Sequence, residues 1–117
     1  MVPAILLNRD GGFAGAIGSA GGNAILAYVA KSLLAAIDWN MSMANALAAP
    51  NLVARGRNFN GEGTKFSPAI LEGLRGRGVD LKPGQGEDSG VTAVLIRNGK
   101  IDGAADPRRE GVVLVVR

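Results

Sequence analysis

Apolar residues along this chain form short runs separated by clusters of glycine and polar residues. Asp10-Gly11 and Asn98-Gly99 each stand between two apolar runs, and both dipeptides favour the tight turn of a β-hairpin. A last apolar run follows Asp106-Pro107, a pair that breaks regular structure. The pattern therefore predicts strands at 2–7, 13–19, 91–96, 100–105 and 112–116.

The sequence between the two hairpins carries helix signals at 24–37, at 42–48 and from Pro68 to Gly76 or Gly78. Asn23, Ser42 and Ser67 stand where a helix N-cap is expected, because their side-chain oxygens can accept a backbone N–H. The first segment is interrupted by Lys31 and Ser32 only. We therefore expect the first helix to be buried nearly all round.

The order of these elements predicts an α+β fold with antiparallel strand pairs at both ends of the chain. Residues 51–65 and 79–90 are rich in glycine and polar residues, and we predict irregular loops there. A chain of 117 residues has the usual length of one domain, so residues 1–117 are expected to form a single domain with its own core.

The composition excludes several kinds of chemistry. The sequence contains no cysteine and no histidine, which rules out disulfides, zinc sites of the Cys/His type and Ser-His or Cys-His nucleophile pairs. The net charge of +3 comes without a run of five or more like charges and without interleaved aromatic residues, so no nucleic-acid partner is expected. The apolar run at 24–37 is too short to span a membrane, and we expect no membrane partner, no cofactor and no metal.

The glycine-rich segment 18–23 is the most informative part of the sequence. It lies where a strand is predicted to turn into a helix, and glycines there let backbone N–H groups approach a ligand closely. A helix N-terminus adds partial positive charge, so the turn could hold a carboxylate, a phosphate or a developing oxyanion. The alternative is that these glycines simply make a tight turn. The spacing of Gly15, Gly18 and Gly21 does not match the dinucleotide fingerprint, and no P-loop follows.

Five segments together resemble the gamma-glutamyltransferase (gamma-glutamyltranspeptidase) family, specifically the C-terminal part of its small subunit. Gly18-Ser19-Ala20-Gly21-Gly22 resembles the family's Ser-Pro-Gly-Gly segment, with Ala20 in place of proline. The remaining matches follow in family order over residues 1–110: Asp38-Trp39-Asn40-Met41, Ala46-Leu47-Ala48-Ala49-Pro50, Phe66-Ser67-Pro68 and Gly103-Ala104-Ala105-Asp106-Pro107-Arg108-Arg109.

The resemblance implies part of an N-terminal-nucleophile hydrolase fold, an αββα sandwich of antiparallel strands with buried helices. It implies that Gly21 and Gly22 form the oxyanion hole for gamma-glutamyl compounds such as glutathione, and that Ser19 contacts the substrate. The family's nucleophile is a threonine at a new N-terminus, whereas Thr64 and Thr92 lie in no matching context. We therefore expect a chain that is inactive alone. The alternative is a non-catalytic oligomeric or small-carboxylate-binding module.

Further residues carry smaller expectations. Tyr28 and Trp39 are expected to anchor the core. Arg55 and Arg57 could hold a substrate carboxylate or could belong to a solvated loop. Asp106 to Arg109 could form an anion site or an interface salt-bridge cluster, and we predict a turn with solvated arginines.

Apolar faces and strand edges that lack their usual neighbours predict a homo-oligomer. The family is often periplasmic or extracellular, and from the N-terminal residues of the sequence given we expect no targeting signal.

Overall fold

The computed structural model describes residues 2–81 and 88–116, and two compact units are distinguished within the chain. The first unit comprises residues 1–49 and 89–117, and the second comprises residues 50–88. The elements are β1 Ala4–Leu7, β2 Phe13–Ala20, α1 Ile25–Ile37, α2 Met43–Ala48, β3 Leu52–Arg55, β4 Asn58–Gly61, α3 Pro68–Arg75, β5 Gly90–Arg97 and β6 Lys100–Ala105.

The first unit is built on a four-stranded antiparallel sheet in the order β1-β2-β5-β6. Both predicted hairpins are confirmed. Asn98 and Gly99 have φ of 51° and 71°, and two consecutive positive φ values define the type I′ turn that the sequence predicted. In the other hairpin, Gly11 has a φ of 84° and Asp10 Oδ1 accepts the N–H of Gly12 at 3.0 Å.

One face of this sheet is covered by α1 and α2 and forms the core. Ile17, Ala93 and Ala104 are cross-strand neighbours in adjacent strands, and all three are buried. Met43 and Leu47 of α2 are fully buried as well. The small side chains of Ala93 and Ala104 leave room for a helix to approach closely, which explains why short helices suffice to close this core.

The opposite face of the sheet carries apolar residues that remain accessible. Ile5 and Ile101 are 70% and 52% exposed, and an apolar depression of about 740 Å³ lies on this face. Residues 112–116 line the depression and form no strand, so the strand predicted there is wrong. A Cβ built on Gly103 would lie 3.1 Å from Val113 Cγ1, which shows that this run lies over the sheet surface. A continuous apolar run can pack against the apolar face of a sheet as readily as it can form a buried strand, so this pattern does not distinguish the two.

Helix α1 is less buried than predicted. Leu26, Leu34 and Ile37 are 69%, 50% and 56% exposed, because the sheet covers one side of the helix only. The expectation for Tyr28 is confirmed, since it is 2% exposed. The expectation for Trp39 is wrong, since its exposed fraction is 64%. No helix in the described ranges has the length and hydropathy that a membrane span requires.

Two of the three predicted helix caps are confirmed. Ser42 accepts the N–H of Asn45 and Ser67 accepts that of Ile70, both at 3.3 Å. The predicted cap at Asn23 is wrong: Asn23 lies inside a 3₁₀ turn at Gly22–Ala24, and the N-cap residue of α1 is Ala24. Helix α3 ends before Gly76, as predicted.

The second unit contains a hairpin where an irregular loop was predicted. β3 and β4 pair through a two-residue turn in which Gly56 has a φ of 64°. A positive φ at the first turn residue alone is the type II′ geometry that glycine favours, so Gly56 was the available signal. Behind the hairpin, the buried Glu62 accepts the N–H of Asn51 at 2.8 Å and pairs with Lys65 at 2.7 Å. Most of the second predicted loop, residues 82–87, lies outside the described residues.

Candidate functional site

The glycine-rich turn connects β2 to α1 through two glycines with positive φ. β2 ends at Ala20, Gly21 has a φ of 131° and Gly22 has a φ of 60°. The 3₁₀ turn Gly22–Ala24 follows, in which Ala24 N–H donates to the Gly21 carbonyl at 3.2 Å, and α1 begins at Ile25. These two positive φ values let the chain reverse direction between β2 and α1. Residues other than glycine rarely adopt such backbone angles.

Gly21 and Gly22 are required for different reasons. A Cβ on Gly21 would lie 2.5 Å from Cε2 of the buried Tyr28, so the aromatic ring fills the space that a side chain would occupy. A Cβ on Gly22 would meet nothing within 4 Å. Gly21 is therefore held by packing as well as by its backbone angle, whereas Gly22 is exposed and constrained by its backbone angle alone.

The amide groups of this turn are available to a ligand. None of the hydrogen bonds found among residues 2–81 and 88–116 uses the N–H of Gly21 or Gly22. The first turn of α1 contains no acidic residue, and no side chain caps the 3₁₀ turn or the helix. Unsatisfied N–H groups and the positive end of a 13-residue helix therefore coincide, which suits a carboxylate or an oxyanion.

Ser19 lies next to the turn but on the buried face of β2. Its exposed fraction is 6%, and its Oγ donates to the carbonyl of Ala20 at 2.6 Å. Its cross-strand neighbour is Val91 of β5, which is also buried. Substrate contact by Ser19 stays a prediction, and the hydroxyl in this geometry supports the end of β2.

The segment after β6 is a buried ion-pair cluster, so the predicted turn with solvated arginines is wrong for Arg108. The Asp106 and Arg108 side chains are 1% and 8% exposed and lie 3.0 Å apart. Asp106 also accepts hydrogen bonds from Ser89 Oγ, from the N–H of Arg108 at 3.0 Å and from that of Val91 at 3.3 Å. Burial alone would raise the pKa of Asp106, but these hydrogen bonds outweigh it and hold the pKa below its ordinary value.

Arg108 and Lys31 together bind the C-terminal end of α2. Arg108 Nη1 donates to the carbonyl of Leu47 at 2.7 Å, and its Nη2 donates to that of Ala49 at 3.0 Å. Lys31 Nζ donates to the carbonyls of Ala46 and Ala49 at 2.9 and 3.0 Å. These bonds satisfy the carbonyls that every helix end leaves open. Lys31 is the one charged residue of the otherwise apolar helix α1, and this isolated charge was the sequence signal for the contact.

Asp102 makes a structural contact that no local signal in the sequence indicates. Both of its carboxylate oxygens accept the N–H of Met43 at the start of α2, at 3.1 and 3.0 Å. Arg97 pairs with Asp102 at 3.2 Å and donates to the carbonyl of Ala36 at 2.6 Å. The pair therefore links the end of α1 to the start of α2. The contact between Asp102 and Met43 could not be predicted from local sequence, because the two residues lie 59 positions apart.

Arg55 and Arg57, the other candidates, lie in the second unit, where they line a polar pocket with Asn58 and Asn60. No group of three or more acidic side chains that could hold a metal ion occurs in the part of the chain that the structure describes.

Comparisons with known proteins show the family and the fold of the chain. The family model described as Gamma-glutamyltranspeptidase matches residues 1–116. The rat protein named glutathione hydrolase 5 proenzyme is 30% identical over 113 residues, which are 95% of this chain and 20% of that protein. The human protein of the same name is 33% identical over 78 residues, which are 67% of this chain and 13% of that protein. The chain thus spans about a fifth of the length of such relatives.

Solved structures show the same fold. The gamma-glutamyltranspeptidase of Pseudomonas nitroreducens superimposes with a TM-score of 0.84 at 22% identity, over 100% of this chain and 62% of that chain. The transpeptidase enzyme CapD of Bacillus anthracis superimposes with a TM-score of 0.75 at 22% identity, over 99% of this chain and 70% of that chain. The predicted fold class, part of an N-terminal-nucleophile hydrolase fold, is confirmed. The chain belongs to the gamma-glutamyltranspeptidase family.

Proposed function

We propose that this chain supplies the oxyanion hole of a gamma-glutamyl transferase or hydrolase that acts on glutathione-like compounds. The observation that carries the proposal is the pair of N–H groups of Gly21 and Gly22 at the uncapped N-terminus of α1. Family membership supplies the reaction class, since the relatives include proteins named glutathione hydrolase.

In the proposed reaction, a threonine hydroxyl oxygen adds to the gamma-glutamyl carbonyl carbon, its proton passes to the threonine's own amino group, and the carbonyl oxygen becomes an oxyanion. The N–H groups of Gly21 and Gly22 donate to that oxyanion, and the dipole of α1 adds to its stabilisation. The protonated amino group then gives its proton to the leaving nitrogen, and collapse of the intermediate expels the amine and leaves a gamma-glutamyl ester. Water or an acceptor amine then attacks this ester through a second oxyanion in the same position.

The nucleophile in this proposal comes from outside the residues described. Thr64 lies in a 3₁₀ turn of the second unit, and Thr92 lies in the interior of β5. Neither carries a free amino group that could serve as its base, which the family chemistry requires. The 117-residue chain alone is therefore proposed to be inactive.

A chimera tests the proposal. Residues 2–116 replace the matched part of the Pseudomonas nitroreducens enzyme, and hydrolysis of a gamma-glutamyl anilide is measured. We expect the chimera to be active and the isolated chain to be inactive. Robust turnover by the isolated chain would contradict the need for an external threonine. A chimera that folds, as judged by circular dichroism, and shows no turnover would contradict the proposed function.

Replacing an amide by an ester tests the two N–H groups themselves. Glycolic acid in place of Gly21 or Gly22 removes the donor and adds no Cβ. In the active chimera we expect kcat to fall roughly 10²–10³-fold, the usual cost of losing one oxyanion donor. The same exchange at Gly56, in the β3–β4 turn, is the matched control and should leave kcat unchanged. Equal kcat for all three esters would exclude the turn as the oxyanion hole.

The open apolar face of the sheet favours a second candidate role, that of an oligomeric module. Ile5, Ile101 and Leu114 are at least half exposed, and Leu114 lines the depression on this face. Such faces are usually covered in stable proteins. We propose that copies of the chain associate through it, and sedimentation velocity at tens of micromolar should show a dimer or larger. A clean monomer would contradict this role.

A further inference from the structure

We propose that Tyr28 is a positioning residue for the oxyanion hole, because its ring restrains the backbone of Gly21 and thereby the directions of both N–H donors. This inference rests on the proposed function and adds a residue to it. A Cβ built on Gly21 would lie 2.5 Å from Cε2, 3.1 Å from Cδ2 and 3.7 Å from Cζ of Tyr28. Beyond the adjacent residues of the chain, these ring atoms are the three heavy atoms nearest to that position.

Gly21 is the hinge between the two proposed donors. Its Cα joins the peptide plane that carries the Gly21 N–H to the plane that carries the Gly22 N–H, and each plane is rigid. The φ of 131° and the ψ of 24° at Gly21 therefore set the angle between the two N–H groups. Both groups must point to one oxygen in order to stabilise it, so the strength of the oxyanion hole depends on these two angles.

A glycine does not hold such angles by itself, because a residue without a Cβ populates many values of φ and ψ. In the part of the chain that the structure describes, the Gly21 carbonyl accepts the N–H of Ala24 at 3.2 Å, but no hydrogen bond found there uses the N–H of Gly21 or Gly22. On the N–H side of the turn, packing therefore supplies the restraint. A ring edge against Gly21 limits how far the hinge can rotate, because protein interiors are close-packed.

Tyr28 is itself held firmly enough for this role. It belongs to α1 and is 2% exposed, and its carbonyl accepts a hydrogen bond from Ser32 Oγ at 2.8 Å. Side chains of a helix lean towards its N-terminus, which explains how a residue in the first turn of α1 reaches a glycine four residues before the helix begins. The restraint thus comes from the same helix whose N-terminus is proposed to face the oxyanion.

Backbone relaxation by nuclear magnetic resonance tests the restraint on the 117-residue chain, independently of activity. Y28L removes Cε2 and Cζ and should lower the order parameters of the Gly21 and Gly22 amides from about 0.85 towards about 0.6. The amide of Gly56, in the β3–β4 turn, is the control and should not change. Y28M carries the same expectation and replaces Y28L if that variant misfolds, because methionine fills the space with a flexible chain. Unchanged order parameters at Gly21 would overturn the inference.

Kinetics of the active chimera test whether the restraint serves catalysis. Y28L should lower kcat roughly tenfold and leave KM within about twofold, because the oxyanion is absent from the bound ground state. Y28F keeps the ring edge that faces Gly21 and should retain kcat within about twofold of the wild type. L47V, at a fully buried residue of α2, is the matched control that weakens the core and should leave kcat unchanged. Unchanged kcat in a folded Y28L chimera would overturn the inference.

Combining Y28L with the ester exchanges separates this inference from the proposed function. With glycolic acid in place of Gly21 or Gly22 only one donor remains, so Y28L should then lower kcat by less than about threefold. With the ester at Gly56 the full loss of roughly tenfold should persist. An equal loss in all three backgrounds would assign Tyr28 to general stability and overturn this inference alone. Equal kcat for the three esters without Y28L would overturn the proposed function, and this inference with it.

Discussion

The two helices of the first unit begin in opposite ways. At the start of α2, Ser42 accepts the N–H of Asn45, and the carboxylate of Asp102 accepts that of Met43. At the start of α1 no side chain caps the backbone, and no acidic residue lies in the first turn. One helix N-terminus is therefore neutralised by an internal carboxylate, and the other is left open.

The difference separates N–H groups that are bonded within the fold, at the start of α2, from N–H groups that have no side-chain cap, at the start of α1. Asp102 demonstrates, within the same protein, how a carboxylate binds at a helix N-terminus. The far end of α2 is also satisfied, by Arg108 and Lys31. An open N-terminus costs stability, because unsatisfied N–H groups must be solvated. Its presence at the glycine turn is consistent with a site for an external anion.

The largest expected effect concerns the cluster that closes α2. D106A removes the carboxylate that pairs with the 8%-exposed side chain of Arg108 and that accepts a hydrogen bond from the Ser89 hydroxyl. We expect the free energy of unfolding to fall by about 3–5 kcal/mol, as measured by urea denaturation at pH 7. The control D38A, at an exposed aspartate, should change it by less than about 0.5 kcal/mol. A loss under 1 kcal/mol in D106A would contradict the structural role of the cluster.

The pH dependence of that effect follows from the lowered pKa of Asp106. A carboxyl group whose pKa is lower in the folded state stabilises the protein fully above the unfolded-state value of about 3.9. This contribution is lost as the pH falls through the folded-state pKa. The difference in unfolding free energy between the wild type and D106N should therefore shrink between pH 6 and the most acidic pH at which the protein stays folded. If this difference stays constant with pH, the negative charge of Asp106 is not what stabilises the wild type relative to D106N.

The next effect separates the two glycines of the open turn. G21A combines a left-handed backbone with a contact of 2.5 Å to Tyr28, and we expect it to lower the unfolding free energy by roughly 2–4 kcal/mol. G22A meets open space and should lower it by about 1 kcal/mol. Urea denaturation of both variants measures the difference. Equal costs would mean that Tyr28 does not confine the turn as the structure indicates.

A smaller effect is expected at the closed start of α2. D102A removes the acceptor of the Met43 N–H and the partner of Arg97, and should cost about 1–3 kcal/mol. D102N keeps one oxygen acceptor without the charge and should fall between D102A and the wild type in thermal and urea denaturation. If D102A retains wild-type stability, the internal carboxylate does not stabilise the helix start.

The smallest effect tests whether the start of α1 accepts an anion at all. N23D places a carboxylate in the 3₁₀ turn that precedes α1. At neutral pH and low salt it should raise the unfolding free energy by about 0.3–1 kcal/mol through the helix dipole. In 1 M NaCl the gain should largely disappear. A loss of stability at low salt would show that this N-terminus does not favour negative charge.

Local signals predicted those parts of the fold that depend on a few neighbouring residues. Asn98-Gly99 specified its hairpin because both residues tolerate positive φ, and Ser42 and Ser67 specified helix starts because their hydroxyls reach the N–H three residues ahead. Asn23 failed as a cap because it lies inside the 3₁₀ turn Gly22–Ala24, one residue before the N-cap position of α1. The β3–β4 hairpin was missed because its strands lack apolar alternation.

The candidate site divides in the same way. Gly21 and Gly22 could be singled out from the sequence, since glycines between a strand and a helix are a local signal. The packing of Tyr28 against Gly21 could not, because an aromatic residue seven positions along the chain can point to any side of its helix. Asp102 and Arg108 were missed or misjudged, because their partners lie about 60 residues away.

The sequence by itself determined the order of β1, β2, the three helices, β5 and β6, two of the three hairpin turns, the absence of histidine and cysteine chemistry, and the place of the glycine turn. Tertiary structure alone decided which face of the sheet is covered, which arginine is buried, and which helix N-terminus stays open. The physical reason is the distance along the sequence over which each kind of interaction acts. Turn and cap preferences act over a few bonds, whereas burial and ion pairing depend on which distant segments the fold brings together.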